Sequence, residues 1–158
     1  MEEGEAMRLG SLTLSVLCAV LLFPALLAAQ NADLRGAWQV ESYVLVDGAR
    51  HQVDGLMLFS ESDWAVVYFV KDEAGQPRRG AGEGGPYTRD GDQLVLLRDY
   101  LVIASETIGT LPEIPLRFDI PGVTDQVVEE CRLEVDGDRI MIEFPSGNRM
   151  GFRRSSGP

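Results

Sequence analysis

The sequence contains only two cysteines and one histidine in 158 residues. Cys18 lies in an N-terminal segment that we expect to be removed. Cys131 is then the only cysteine left, and no internal disulfide can form. With His51 as the only histidine, a complete zinc site built from cysteine and histidine is excluded. We predict neither a metal nor another cofactor.

Basic residues are also scarce, and the formal net charge is −11. Nucleic-acid binding needs a basic face, and so does attraction to an anionic membrane surface, so we expect neither partner. Lys71 is the only lysine, whereas arginines are numerous. This bias is typical of proteins from GC-rich bacterial genomes.

The long hydrophobic run is confined to the N-terminus. Arg8 precedes an apolar stretch over residues 12–27, and Ala28 and Ala29 follow it as small residues. This pattern predicts a signal peptide over residues 1–29, and a mature domain over residues 30–158 that is secreted or periplasmic. We place the start at Met7, since the three glutamates before it are atypical of a leader. The alternative is an uncleaved anchor, but the run is short for a stable membrane span.

The remaining sequence alternates between apolar and polar residues in short segments separated by turn dipeptides. This predicts an all-β domain, an antiparallel up-and-down barrel of about eight to ten strands, with no helix. In the first strand Trp38, Val40, Ser42 and Val44 share one face. Residues 72–85 and 105–114 are expected to be loops that frame an open mouth, and the first to be mobile and exposed. The predicted strands are 38–46, 49–53, 56–60, 64–70, 86–89, 93–104, 116–120, 127–135, 139–144 and 149–154.

Four segments, taken in order, form a recognisable pattern. Residues 34–38 read Leu-Arg-Gly-Ala-Trp and are followed by a glycine and an apolar strand over 55–60, and the last strand ends Phe-Arg-Arg at 152–154. Between them lie a strand with an Asp-Gly-Asp turn over residues 85–92 and a hairpin over residues 133–140. This order resembles the bacterial lipocalin-like domain family of calycin-type barrels, in which the two middle segments correspond to the central strand and the penultimate hairpin, and the last strand usually ends aromatic-x-Arg.

The residues of this pattern also have a physical reading. Gly36 lets the backbone pass close beneath one end of the barrel, and Trp38 fills that end with a large ring. Arg154 can stack on the indole face and bind backbone carbonyls, which would tie the first strand to the last. We interpret Gly36, Trp38 and Arg154 as a structural signature and predict no catalytic residues.

Charged residues on the strands raise the question of a polar interior. Arg98 and Asp99 point to opposite faces of a regular strand, so one of them would face inward and need a partner. Glu41, Glu129, Glu130, Glu134 and Glu143 raise the same question. The simpler interpretation is that these charges face solvent. His51 is interpreted as an exposed structural residue, Cys131 as a buried apolar one, and the acidic turns at 61–63, 90–92 and 136–138 as hairpin turns without calcium.

Three functions remain open. The first is a carrier that binds a small hydrophobic molecule, with Tyr43, Tyr68, Phe69 and Tyr100 as ligand-binding residues. The second is a filled barrel whose outer surface acts as an interaction module for a protein or the cell envelope. The third is a small barrel enzyme (cyclase, isomerase or hydrolase) on an apolar substrate, which would need two or more inward polar side chains in one cavity. We favour the first, and the sequence does not predict the ligand or the oligomeric state.

Overall fold

The computed structural model describes residues 33–156, so the predicted signal peptide lies outside the described residues. No helix within that range is long and apolar enough to cross a membrane. The described chain folds entirely into strands and their connections. The strands are β1 Gly36–Val44, β2 Arg50–Phe59, β3 Asp63–Lys71, β4 Pro77–Asp90, β5 Gln93–Arg98, β6 Tyr100–Ser105, β7 Ile114–Asp119, β8 Val127–Asp136, β9 Arg139–Glu143 and β10 Arg149–Arg154.

Eight of these strands close into an antiparallel barrel. The order is β3-β2-β1-β10-β9-β8-β5-β4, and β4 pairs back onto β3. The remaining two strands, β6 and β7, extend the sheet beside β4. The predicted all-β, up-and-down barrel is therefore confirmed.

One end of the barrel is filled. Trp38 is only 1% exposed, and its indole nitrogen donates a 2.7 Å hydrogen bond to the carbonyl of Leu34. The guanidinium carbon of Arg154 lies 4.2 Å from the centroid of the indole ring. Arg154 also donates hydrogen bonds to the carbonyls of Arg35 and Asp33. A Cβ on Gly36 would lie 3.3 Å from Arg154 Nη1, so the absence of a side chain there leaves room for this contact.

The prediction of two strands within residues 49–60 is wrong. One continuous strand, β2, runs through the Asp54-Gly55 pair, although the same dipeptide does form turns at Asp47-Gly48 and Asp136-Gly137. Gly55 lies opposite Tyr68 in the ladder, and a Cβ there would come within 2.4 Å of the Val67 carbonyl oxygen. The glycine is required by close packing between strands, and not by a turn.

The prediction of a mobile loop over residues 72–85 is also wrong. Most of this segment belongs to β4, which pairs with β3 along one edge and with β6 and then β5 along the other. Gly80, Gly82 and Gly84 occupy alternate positions of β4, and residues of the neighbouring strands pack closely against their backbone. A Cβ on Gly82 would lie 3.0 Å from Val102. The glycine-rich composition therefore reflects close packing in a strand.

The predicted strand over residues 93–104 is divided at Asp99 into β5 and β6. Residues on the inner face are Leu94 and Leu96 before the break and Leu101 and Ile103 after it, so the alternation shifts by one position. The segment over residues 105–114 was predicted to be a loop at the open end of the barrel, and part of it contributes to the core. Its Ile108 and Leu111 are each 9% exposed and pack into the core.

Candidate functional site

The half of the barrel away from Trp38 contains a cavity of about 520 Å³. Small-molecule sites in proteins usually measure about 300–1,000 Å³. The cavity is therefore large enough for one small ligand, whereas the Trp38 end is solid. The apolar part of its wall comes from inward-facing residues of several strands and of the 106–113 segment: Met57, Trp64, Val66, Leu96, Leu101, Ile103, Leu111, Ile114, Met150 and Phe152.

The wall of the cavity approaches the surface between β7 and the turn over residues 144–148. Within the described residues β7 pairs only with β6, and β8 pairs with β5 from Val127 onward. No backbone ladder described here joins β7 to that turn, yet Ile114, Arg117, Phe144 and Ser146 all line the cavity. Arg117 and Ser146 are exposed, so the cavity reaches the surface at this gap between ladders.

Two tyrosines lie in the wall of the cavity. The alternation of the sequence predicted that Ser42 and Val44 share the face of Trp38 and Val40. A β-bulge between Val40 and Ser42 shifts this alternation in β1, and Tyr43 therefore faces inward. The ring centroids of Tyr43 and Tyr68 are 6.2 Å apart, and Asn148 donates a hydrogen bond of 3.4 Å to the Tyr43 hydroxyl. Burial raises the pKa of both phenols, which therefore remain neutral hydrogen-bonding groups.

Phe69 and Tyr100 do not line the cavity, which corrects their predicted placement. Their side chains lie on the outer face of the sheet, with 46% and 57% of their surface exposed. Phe69 directly follows Tyr68 in a regular strand, and successive side chains of a strand point to opposite faces. The ligand-binding role of Tyr43 and Tyr68 stays a prediction.

A group of partly buried charges lines the cavity. Arg98 Nη1 lies 3.3 Å from Glu83 Oε2 and 3.5 Å from Glu129 Oε1, and the three side chains are only 13–23% exposed. Burial raises the pKa of Glu129, repulsion from Glu83 adds to the rise, and attraction to Arg98 opposes it. The interior is therefore polar at this point, contrary to the simpler interpretation that these charges face solvent.

Arg79 contributes a second guanidinium to the wall, at the Tyr43 end of the cavity. Its Nε and Nη1 atoms are buried and have no hydrogen-bond partner. Arg98 and Arg117, by contrast, are each paired with carboxylates. In chemical terms the site can hold an apolar body and bind a polar group through Arg79 and the tyrosines.

Sequence reasoning did not find Arg79 and Glu83 because both fall in the segment that was predicted to be a loop. The signal that could have found them is the regular spacing of Arg79, Ala81 and Glu83 between glycines, which is a strand alternation of period two. The sequence analysis named Arg98 and Glu129 as charges that could face either inward or solvent. Only the fold shows that both face inward.

The remaining candidate residues lie away from the cavity. Cys131 is buried, and desolvation raises the pKa of its thiol to about 12. His51 is partly buried, and its Nε2 atom has no hydrogen-bond partner. Glu41 lies outside and pairs with Arg139 and Arg153. Residues 33–156 contain no group of three or more side chains placed to bind a metal ion.

A scan against models of known protein families found no match, and a search of curated protein sequences also found none. Among solved structures, the chain is similar to a lipocalin-like protein from Bacteroides uniformis, with a TM-score of 0.46 and 17% sequence identity. The similarity covers 78% of this chain and 100% of that protein.

Proposed function

We propose that this chain is a binding protein that holds one small, largely apolar molecule in the hollow half of its barrel. The observation that carries the proposal is the cavity of about 520 Å³, whose wall is mainly apolar and reaches the surface between β7 and the 144–148 turn. Removing apolar surface from water stabilises a complex by about 25 cal/mol per Å². A ligand enclosed by this wall would gain most of its binding free energy in that way.

Binding is preferred to catalysis because of how the interior charges are arranged. The cavity does contain several inward polar side chains, as an enzyme would require. The carboxylates of Glu83 and Glu129, however, both contact the one guanidinium of Arg98. A general acid or base has to be within reach of the substrate proton, and here both candidates already have a partner.

The experiment is a titration of the full-length protein with decanol. Binding is measured by calorimetry and by the change in fluorescence of Trp64, which lies in the cavity wall. We expect saturable binding of one molecule. Ile103→Trp fills the cavity from β6 and should abolish binding. Ala104→Trp places the same ring one residue further along, on the outer face, and should leave binding intact.

Val128→Trp gives a second test at the opening, since Val128 is 55% exposed and also lines the cavity. It should slow ligand entry with little effect on folding. Saturable binding that survives in a folded Ile103→Trp protein would place the ligand elsewhere and refute the proposal, and an unchanged rate of ligand entry in Val128→Trp would place the opening elsewhere.

We also propose that the protein is exported, to the periplasm or the medium, and that residues 1–29 are removed. The proposal rests on the apolar run and the small residues at 28 and 29. N-terminal sequencing of the protein recovered after export should begin near Gln30. A protein that keeps its N-terminus and stays inside the cell would contradict it.

The outer face of the sheet supports a second candidate function, assembly with a second copy of the chain. In the ladder Leu56, Val67, Gly82, Val102 and Phe118 lie side by side on five strands. The outward side chains here form what we call the outer apolar face: Leu56, Leu58, Val67, Phe69, Tyr100, Val102, Leu116 and Phe118, each 38–64% exposed.

The area of this face is of the order that a stable dimer needs. Its eight side chains are about half exposed on average. At about 150–250 Å² per fully exposed aromatic side chain, and less for leucine and valine, the face presents several hundred Å², and a standard interface buries about 800 Å² per partner. No charged side chain lies in its central row, so the acidic character of the chain does not oppose self-association at that point.

Sedimentation of the full-length protein tests this candidate. We expect a dimer that Val102→Glu converts to a monomer, because the new carboxylate would be buried in the centre of the interface. Val46→Glu introduces the same charge at an exposed residue outside the outer apolar face and should leave the dimer intact. A wild-type protein that remains monomeric at high concentration would rule the candidate out.

A further inference from the structure

The guanidinium of Arg79 is the one interior charge that the described residues leave without an ion pair. Its Nε and Nη1 atoms are buried and unpartnered, and a weak interaction with the Tyr68 hydroxyl is its main polar contact. The other two arginines of the cavity wall each have a carboxylate partner. Arginine stays protonated in proteins, so this charge cannot be relieved by losing a proton.

Among the described residues, no carboxylate forms an ion pair with Arg79. The inward carboxylate of the same strand belongs to Glu83, whose Cα lies about 13 Å from that of Arg79 at the usual strand rise. Glu83 is moreover held by Arg98. A buried charge without a partner is costly, and such groups are retained at positions where function requires them.

We propose that the ligand of the cavity is an amphipathic anion with a single acidic group, and that Arg79 binds this group. The proposal rests on the proposed binding function and adds the chemical class of the ligand. The apolar body occupies the space lined by Met57, Leu101 and Ile103, and the acidic oxygens accept hydrogen bonds from the guanidinium.

Two features of the wall restrict the ligand further. The carboxylates of Glu83 and Glu129 also line the cavity, so a second acidic group on the ligand would be repelled. This favours a monoacid over a diacid. Since Nε and Nη1 of Arg79 are covered by neighbouring protein atoms, binding includes a rotation of the Arg79 side chain toward the ligand.

The test compares three probes that share one ten-carbon chain and differ in the charge of the head group: decanoate, decanol and decylamine. At neutral pH we expect the full-length protein to bind decanoate about ten- to a hundredfold more tightly than decanol, since a charge-assisted hydrogen bond is gained. Decylamine should bind more weakly than decanol. The preference for decanoate should disappear when the pH falls below the pKa of the acid.

Variants of Arg79 assign the effect to this residue. Arg79→Met should remove the preference for decanoate over decanol. Arg79→Lys keeps the charge and should retain part of the preference. The matched control is Arg78→Met, because Arg78 is the neighbouring arginine on the same strand and faces outward to Asp72 and Glu106.

The outcomes separate this inference from the function on which it rests. Equal binding of decanoate and decanol, or tighter binding of decylamine, would overturn the anionic ligand and leave the binding cavity in place. Binding of none of the three probes would overturn both. The comparison of probes on the wild-type protein decides the matter even if Arg79→Met does not fold.

Discussion

Removal of the positive charge of Arg98 should destabilise the barrel more than any other single loss of a charge in the cavity. In Arg98→Met the carboxylates of Glu83 and Glu129 would face each other without the guanidinium that now lies 3.3 Å and 3.5 Å from them. Breaking a buried ion pair by removing one partner costs about 3–5 kcal/mol. Because the three side chains remain 13–23% exposed, we expect the lower end, about 3 kcal/mol.

Urea denaturation at neutral pH, followed by tryptophan fluorescence, measures this loss directly. The matched control is Arg132→Met, which removes an exposed arginine that lies 3.7 Å from Asp92. Its effect should stay within about 0.5 kcal/mol, since exposed ion pairs contribute little. The triple variant Arg98→Met, Glu83→Gln, Glu129→Gln removes all three charges and should recover most of the lost stability.

The pH dependence gives a second check on the same reasoning. Without Arg98, nothing opposes the burial and the repulsion from Glu83 that raise the pKa of Glu129 in the folded state, so the penalty is present at neutral pH and disappears as the pH falls and Glu129 is protonated. An Arg98→Met protein as stable as the wild type at neutral pH, or one whose loss of stability does not depend on pH, would refute the buried charge group.

Three further predictions follow from single positions. Gly85→Ala should destabilise the fold by about 2 kcal/mol or more in urea denaturation, because the new Cβ would lie 2.1 Å from the Leu97 carbonyl oxygen; an unchanged midpoint would contradict the close contact of β4 and β5. Glu129→Gln should gain stability relative to the wild type as the pH rises through the carboxyl range, because burial raises the pKa of Glu129 in the folded state; parallel stability curves for the two proteins would argue against this shift. Cys131, whose thiol pKa is raised to about 12, should react with a thiol reagent at mildly alkaline pH only after unfolding, and rapid labelling of the native protein would show that the thiol is not buried.

The barrel could be predicted from the alternation of apolar and polar residues because one face of each strand is buried. The sequence did not distinguish the turn at Asp47-Gly48 from the strand position at Asp54-Gly55, because the local signal is the same. Only the approach of Val67 and Tyr68 to Gly55 across the ladder decides between them. Local composition therefore could not separate a turn glycine from a packing glycine.

The candidate site was harder to predict for a related reason. The glycines of β4 indicated a loop, which hid the inward orientation of Arg79 and Glu83. The bulge in β1 reversed the alternation before Tyr43, and such a shift leaves no mark in a regular pattern. Phe69 was predicted to bind a ligand because it is an aromatic residue on a strand. Since Tyr68 precedes it and faces the interior, Phe69 has to face outward. The side to which each residue points depends on contacts between strands, which the sequence alone does not supply.

The most direct test of the central claim is to identify what the purified protein carries. The full-length protein, expressed in a bacterial host and purified, is denatured in organic solvent, and the extract is analysed by mass spectrometry beside that of Ile103→Trp. The cavity described here predicts one apolar or amphipathic compound in near-stoichiometric amount, absent from the variant. An extract without such a compound, together with no binding of decanol or decanoate by the purified protein, would contradict a ligand-binding barrel.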